Sequence, residues 1–308
     1  MKIVFMGNPE FAVKSLKKLI PSQHEIIAVA TNPPKHAGRR RSLKETPVFI
    51  AAKDAQLSVV EINDLNSEES FESLQRLEAD IYVVVAYRIL PKRIINIPKL
   101  GAINLHGSLL PKYRGAAPIQ WALINGETDT GLTTFIIEPK IDTGNILLQQ
   151  TVNIEECDDY GSLAEKMSHV GADLLVKTLD QLEYEEIKPL PQNKDGASKA
   201  PKITSSFTII NWQKPASELH NLVRGLSPFP GVQSTLNGKR IKLYKTQVIE
   251  SNSDYEPGVV SAIQSDNIQI QTLSGQLVVT EVQLEGKKRM LVSDFLRGYS
   301  LEIGTKLE

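Results

Sequence analysis

The sequence predicts a doubly wound α/β domain with a mainly parallel sheet, followed by a small C-terminal β-barrel of oligonucleotide-binding type. Three observations predict it. Strand-like and helix-like segments alternate four times in the first half of the chain. The run Asp80–Ala86 (DIYVVVA) is apolar at nearly every position, as a strand covered on both faces must be. Beyond residue 204, short β-prone segments alternate with turns, the spacing of a small barrel.

The elements follow in order. Lys2–Met6 is a buried strand, and Asn8-Pro9 reads as a cap with proline in the first helical turn. Glu10–Ile20 places Phe11, Val13, Leu16, Leu19 and Ile20 near helical period. Strand Glu25–Ala30, helix Pro47–Ala55, strand Leu57–Val60 and helix Ser67–Leu77 precede the valine-rich run, and Leu100–His106 is a fifth strand. Leu132–Glu138 and Asn145–Asn153 read as strands, and Tyr160–Glu185 as a long helix. Residues 188–204 mix Pro, Gly, Ser and Lys without apolar periodicity, which is linker composition. Val232–Leu236, Ile241–Val248, Val259–Ile263, Ile268–Thr272 and Gln276–Val282 are the later strands, with turns at Asn237-Gly238 and Ser274-Gly275. The expected domains are 1–187, a linker 188–204, and 205–308.

Charge and cysteine content narrow the classes of function. Lys and Arg number 35 against 36 Asp and Glu, so nucleic-acid binding requires a local patch rather than a basic coat. The lone cysteine, Cys157, lies between two acids and supports neither an intramolecular disulfide nor a cysteine zinc site. No apolar run is long enough for a membrane span, and the N-terminus lacks a signal-peptide pattern. The expectation is a soluble, cytoplasmic, metal-free monomer. A dinucleotide site is disfavoured because the first turn, Gly7-Asn8-Pro9-Glu10, has one glycine of the three required and an acid facing any phosphate.

The chemistry concentrates in residues 102–124. Asn104 and His106 stand two apart at the C-terminal end of a strand, hence on one face, at the sheet edge where open α/β folds bind ligands. The loop Pro139–Gly144 contributes Asp142. Together they offer an amide donor, a titratable imidazole and a carboxylate to hold it. Taken singly, a strand-end histidine is also an ordinary capped residue and Asp-Thr-Gly an ordinary turn. The remaining histidines (His24, His36, His169, His220) show no metal-ligand spacing.

Asn104-x-His106-x-Ser108-Leu109-Leu110-Pro111, with Asp142-x-Gly144 36 residues after the histidine, resembles the signature of the folate-dependent formyltransferases. The resemblance extends over nearly the whole chain, including IVFMGNPEFA, VVVAY, RGAAPIQWALINGE, APKI and Ile210-Asn211-Trp212. At Tyr87–Pro91 this chain reads AYRILP, where many relatives have glycine and one further residue, and Glu138–Ile141 is less glycine-rich than in many relatives. The resemblance implies formyl transfer from N10-formyltetrahydrofolate to the α-amine of methionyl-initiator tRNA, with Asn104, His106 and Asp142 catalytic. It implies a folate site at Tyr87, Arg88, Ile89, Leu90, Ser108, Leu109, Leu110, Pro111, Ile141 and Thr143. It also implies that the basic loop PPKHAGRRRSLKET, with Lys35, Arg39, Arg40, Arg41 and Lys44, meets the tRNA acceptor arm. Linker lysines Lys188, Lys194, Lys199 and Lys202, and Lys239, Arg240, Lys242 and Lys245 of the C-terminal domain, form further basic strips. The alternatives are a nucleotide-sugar formyltransferase, a formyltetrahydrofolate hydrolase and a non-catalytic RNA-binding relative.

Overall fold

The computed structural model describes residues 1–37, 42–193 and 195–308. Arg39, Arg40, Arg41 and Lys194 lie outside the described residues. The chain divides into two compact units, one of residues 1–118, 130–153 and 164–200 and one of 119–129, 154–163 and 201–308.

The first unit contains β1 (Lys2–Gly7), α1 (Glu10–Leu19), β2 (Glu25–Thr31), β3 (Lys35–Ala37), β4 (Ser42–Lys44), α2 (Pro47–Asp54) and β5 (Val59–Glu61). α3 (Glu68–Gln75), β6 (Ile81–Val85), α4 (Lys92–Ile95) and β7 (Ala102–His106) follow. After α5 (Pro118–Ile124), which apart from Pro118 belongs to the second unit, come β8 (Asp129–Ile136), β9 (Ile146–Asn153) and the long helix α6 (Tyr160–Glu183), whose residues from 164 onward belong to the first. The sheet order is β5-β2-β1-β6-β7-β8-β9. β5, β2, β1, β6 and β7 pair in parallel, and β8 reverses direction against β7. As its composition predicts, β6 lies inside the sheet with all five residues buried. Its Tyr82 is fully buried and donates its hydroxyl to the Leu74 carbonyl, 3.3 Å away.

Helix starts follow local chemistry. Thr46 accepts from Phe49 N at the start of α2, with Pro47 in the first turn, and Ser67 accepts from Ser70 N at the start of α3. Asn8 does not cap α1, contrary to the sequence expectation. Pro9 occupies that position, and Asn8 Oδ1 instead accepts from Thr31 Oγ1 and Asn32 N. That amide therefore ties the end of β1 to the exit of β2. β3 and β4, which form a two-stranded antiparallel hairpin in the basic loop, lie outside the predicted elements.

In the second unit, α7 (Ala216–Gly225) precedes β10 (Val232–Leu236), β11 (Lys239–Ile249), β12 (Val260–Ile263), β13 (Ile268–Gln271), β14 (Gln276–Leu284), β15 (Met290–Leu291) and α8 (Val292–Gly298). The antiparallel order is β10-β11-β14-β13-β12, with β15 beside β14. Asn237 and Gly238 both take positive φ, as a two-residue hairpin turn between right-twisted strands demands. The last residues bridge both edges: Leu307 pairs with Leu236 of β10, and Lys306 pairs with Val259 just before β12. The strand path thereby closes on itself. Leu219, Val223, Ile241, Leu243, Ile268 and Val279 are central to the core it encloses.

Among the described residues, no helix is long and apolar enough to cross a membrane, and no group of three His, Cys, Asp or Glu is placed to hold a metal ion.

Candidate active site

β1, β6 and β7 end at one edge of the sheet, because Gly7 aligns with Val85 and Val85 with Leu105. That edge carries His106 at the end of β7 and the Tyr87–Pro91 loop after β6. β8 leaves β7 at the opposite end, with Ile136 opposite Ile103. The loop after β8 folds back along β7, bringing Asp142 Oδ2 within 3.9 Å of His106 Nδ1.

His106 is buried, and its tautomer follows from its neighbours. Nε2 lies 2.9 Å from the Tyr113 carbonyl, which can only accept, so Nε2 carries a proton. Nδ1 is therefore the nitrogen that faces Asp142. At 3.9 Å the contact is of ion-pair length rather than a hydrogen bond, and only the protonated ring can pair with the carboxylate. Phe135, opposite Asn104 in the β7–β8 register, packs edge-on against the imidazole, 6.3 Å between centroids.

Asp142 holds a left-handed backbone, φ 51°, a conformation that costs a non-glycine residue about 1–2 kcal/mol. Its side chain is only 12 % exposed, and Oδ2 accepts a 2.8 Å hydrogen bond from Gly115 N. Gly115 has φ 130°, and a Cβ there would lie 3.0 Å from the Ala200 carbonyl carbon and closer still to its oxygen. Glycine is thus required where the backbone donates to Asp142. Asn104 is half-buried, and its side-chain amide has no partner among the described residues. An amide donor left uncommitted beside a histidine–aspartate pair is an arrangement for meeting a ligand oxygen.

The other predicted residues divide by exposure. Ile89 and Ile141 are 68 % and 52 % exposed, while Leu90 and Leu110 are buried. Ser108 is fully buried, and its hydroxyl donates to the Lys112 carbonyl at 2.6 Å, closing the Ser108–Lys112 turn. Thr133 and Gln149 support that turn from below. Thr133 Oγ1 donates to Ser108 O and accepts from Leu110 N, and Gln149 Nε2 donates to Leu110 O. Leu109 and Pro111 are half-buried. Thr143 donates to the Lys140 carbonyl at 3.1 Å.

Arg88 braces the loop after β6. Its guanidinium donates to the carbonyls of Ile62 and Asn63 and to the Tyr87 hydroxyl, and it stacks over the Tyr87 ring. Burial pushes the Tyr87 hydroxyl above its ordinary pKa, an effect the Arg88 hydrogen bond and charge oppose.

Of the basic loop, Lys35 and Lys44 are described. They are exposed and stand directly opposite each other across β3–β4, a like-charge pairing that is unfavourable without a counter-ion. In the second unit, Lys242 donates to the Pro230 carbonyl, and burial, then the neighbouring Arg240, lowers its pKa. Lys239, Arg240 and Lys245 are exposed.

Three groups that hold this site lie outside the predicted set: the Tyr113 carbonyl, Gly115 N and the side chain of Gln192. The first two are backbone groups with no side-chain signature. Gln192 falls in a segment whose composition reads only as linker.

An α/β sheet with an Asn-x-His strand end and a returning aspartate loop, followed by an antiparallel domain, is the arrangement that the resemblance to the formyltransferases implies. The Formyl transferase family is matched over residues 1–179, and the Formyl transferase, C-terminal domain family over residues 202–300. The chain belongs to the formyl transferase family. It is 41 % identical over 306 residues to the methionyl-tRNA formyltransferase of Agathobacter rectalis, covering 99 % of each chain. It is likewise 41 % identical over 308 residues to the methionyl-tRNA formyltransferase of Clostridioides difficile, covering 100 % of each. Among solved structures, an N-formyltransferase from Helicobacter canadensis in complex with folinic acid and dTDP-3-aminofucose shares the fold. Its TM-score is 0.68 at 21 % identity, covering 94 % of this chain and 100 % of that one.

Proposed function

We propose that this chain transfers the formyl group of N10-formyltetrahydrofolate to the α-amine of methionyl-initiator tRNA, with Asn104, His106 and Asp142 as the catalytic groups. Full-length 41 % identity to relatives named methionyl-tRNA formyltransferase carries the choice of acceptor. The uncommitted Asn104 amide beside the His106–Asp142 pair supports the assignment of the chemistry.

The amine nitrogen attacks the formyl carbon, and the carbonyl oxygen becomes an oxyanion. As the tetrahedral centre collapses, the carbon–N10 bond breaks and a proton moves from the amine to N10. Asn104 donates to the oxyanion, a contribution of about 10²–10³ in rate for one such donor. Protonated His106 supplies positive charge to the same oxygen, and Asp142 stabilises that charge and orients the ring. Electrostatic stabilisation of this kind is worth about 10²–10³ per group.

The folate donor lies between the Tyr87–Pro91 loop and the Ile141–Thr143 turn. Exposed Ile89 and Ile141 supply apolar contact, and Arg88 sets the shape of its loop. Buried Ser108 and Leu110 shape the wall of the site, while Leu109, Pro111 and Thr143 line it. The β3–β4 loop, with Lys35, Arg39, Arg40, Arg41 and Lys44, receives the acceptor arm; the opposed Lys35 and Lys44 fit a polyanion. We place the catalytic domain at 1–187, the linker at 188–204 and the tRNA-binding domain at 205–308, in a metal-free cytoplasmic monomer.

Initial rates of labelled formyl transfer, measured separately with methionyl-initiator tRNA, an amino-sugar nucleotide and water, test the proposal. Transfer to tRNA is expected, and preference for either other acceptor contradicts it.

A further inference from the structure

Gln192 lies 50 residues from Asp142 in the chain, yet its side chain reaches the backbone of the Asp142 turn. Nε2 donates to Asp142 O at 3.0 Å and to Gly144 O at 2.7 Å. Oε1 accepts from Arg114 Nε at 3.1 Å and from a terminal Arg114 nitrogen at 2.6 Å. A primary amide has two donor hydrogens and two acceptor lone pairs, and here all four are used. The orientation is determined by chemistry, since carbonyls only accept and guanidinium only donates. A carboxylate in place of the amide would turn an oxygen toward two carbonyl oxygens.

The same short segment holds both reacting side chains. Tyr113 O accepts from His106 Nε2, Gly115 N donates to Asp142 Oδ2, and Arg114 between them grips Gln192. That segment is itself strapped by residues 198–200. Tyr113 N donates to Ser198 Oγ, Arg114 N to Ser198 O, and Ala200 N to Arg114 O. The turn meanwhile needs support, because Asp142 is left-handed without being glycine.

Resting on the functional reading above, we propose that the Arg114–Gln192 pair is a positioning clamp. It holds the Asp142 turn so that the carboxylate meets Gly115 N and faces His106. Gln192 touches no reacting atom and acts through Asp142.

The test uses the full chain as wild type, Gln192→Ala, Gln192→Glu, Asp142→Asn and the Gln192→Ala/Asp142→Asn double variant. Gln192→Ala is expected to lower kcat about tenfold, with both KM values within about twofold, because misplacing a reacting group weakens the transition state more than ground-state binding. Gln192→Glu is expected to be at least as severe. In the Asp142→Asn background the same Gln192→Ala change is expected to cost less than about twofold, the coupling of residues that act as one unit. Equal losses in both backgrounds, or an unchanged kcat in Gln192→Ala, overturn the clamp. A crystal structure of Gln192→Ala separates this from the acceptor question. Loss of the 2.8 Å contact between Asp142 Oδ2 and Gly115 N is expected, and its retention overturns the clamp whichever acceptor the enzyme uses.

Discussion

Gly144→Ala tests whether the placement of the aspartate turn matters to turnover. Gly144 is buried against β8, and a Cβ there would lie 2.9 Å from the carbonyl carbon of Ile136 and closer to its oxygen. Ordinary carbon–carbon contact is about 3.5–4.0 Å, so the turn must retreat by about 1 Å or more, because backbone of a sheet strand cannot yield as a side chain does. Gly144 O is also one of the two carbonyls held by Gln192. A displacement of about 1 Å at a reacting group costs about 10² in rate, so kcat is expected to fall at least that far. Overpacking should cost about 1–3 kcal/mol of stability, leaving the protein folded at assay temperature. Gly298→Ala, where a Cβ meets nothing within 4 Å, is the control and should behave as wild type. The assay is kcat at saturating donor and acceptor, with the melting temperature recorded for each variant. A folded Gly144→Ala enzyme turning over within about threefold of wild type would refute the argument, since so small a loss is far below the scale of a misplaced catalytic group.

Asn104→Ala should lower kcat by about 10² or more with little change in folate binding, and near-normal turnover removes Asn104 from the mechanism. Asp142→Asn should be of similar severity, because it removes the carboxylate that faces His106 Nδ1; steady-state kinetics of the folded variant decides this. The triple variant Arg39→Ala, Arg40→Ala, Arg41→Ala should weaken tRNA affinity and reduce its salt slope by up to about three phosphate contacts, leaving folate affinity intact. An unchanged salt slope removes the loop from tRNA binding. Burial, then the Arg224 charge, lowers the pKa of His220, whose ring contacts Thr246 Oγ1. The unfolded chain therefore binds the proton more readily, so this contribution to stability is full above about pH 6.5 and is lost as pH falls through the folded value. The melting temperature of His220→Gln should fall less steeply on acidification than that of wild type, and parallel curves contradict the assignment.

The parallel core was legible because its physics is local. A strand buried on both faces must be apolar throughout, and β6 is. The Asn237-Gly238 turn was legible for the same reason, since few residue pairs tolerate two positive φ values. Two elements are not legible from pattern alone. Asn8 looks like a helix cap but serves Thr31 and Asn32, because the alternative acceptor role depends on a strand remote in sequence. The tail that closes the second unit is only a few residues long, too short for alternation to register. The proposed catalytic set, Asn104, His106 and Asp142, comes from spacing and family resemblance, and the structure brings His106 and Asp142 to 3.9 Å of each other. Its supports were not, because Tyr113 O and Gly115 N are backbone groups and Gln192 sits in a stretch whose composition resembles a linker.

A single competition mixture decides which acceptor receives the formyl group. Labelled N10-formyltetrahydrofolate is incubated with methionyl-initiator tRNA and an amino-sugar nucleotide together, and the label is followed in tRNA, sugar nucleotide and free formate. Wild type is expected to place the label on tRNA, and folded His106→Ala to do so slower by about 10² or more. Label accumulating on the sugar nucleotide or as formate in the wild-type mixture, or transfer to tRNA undiminished in His106→Ala, would contradict the proposed function.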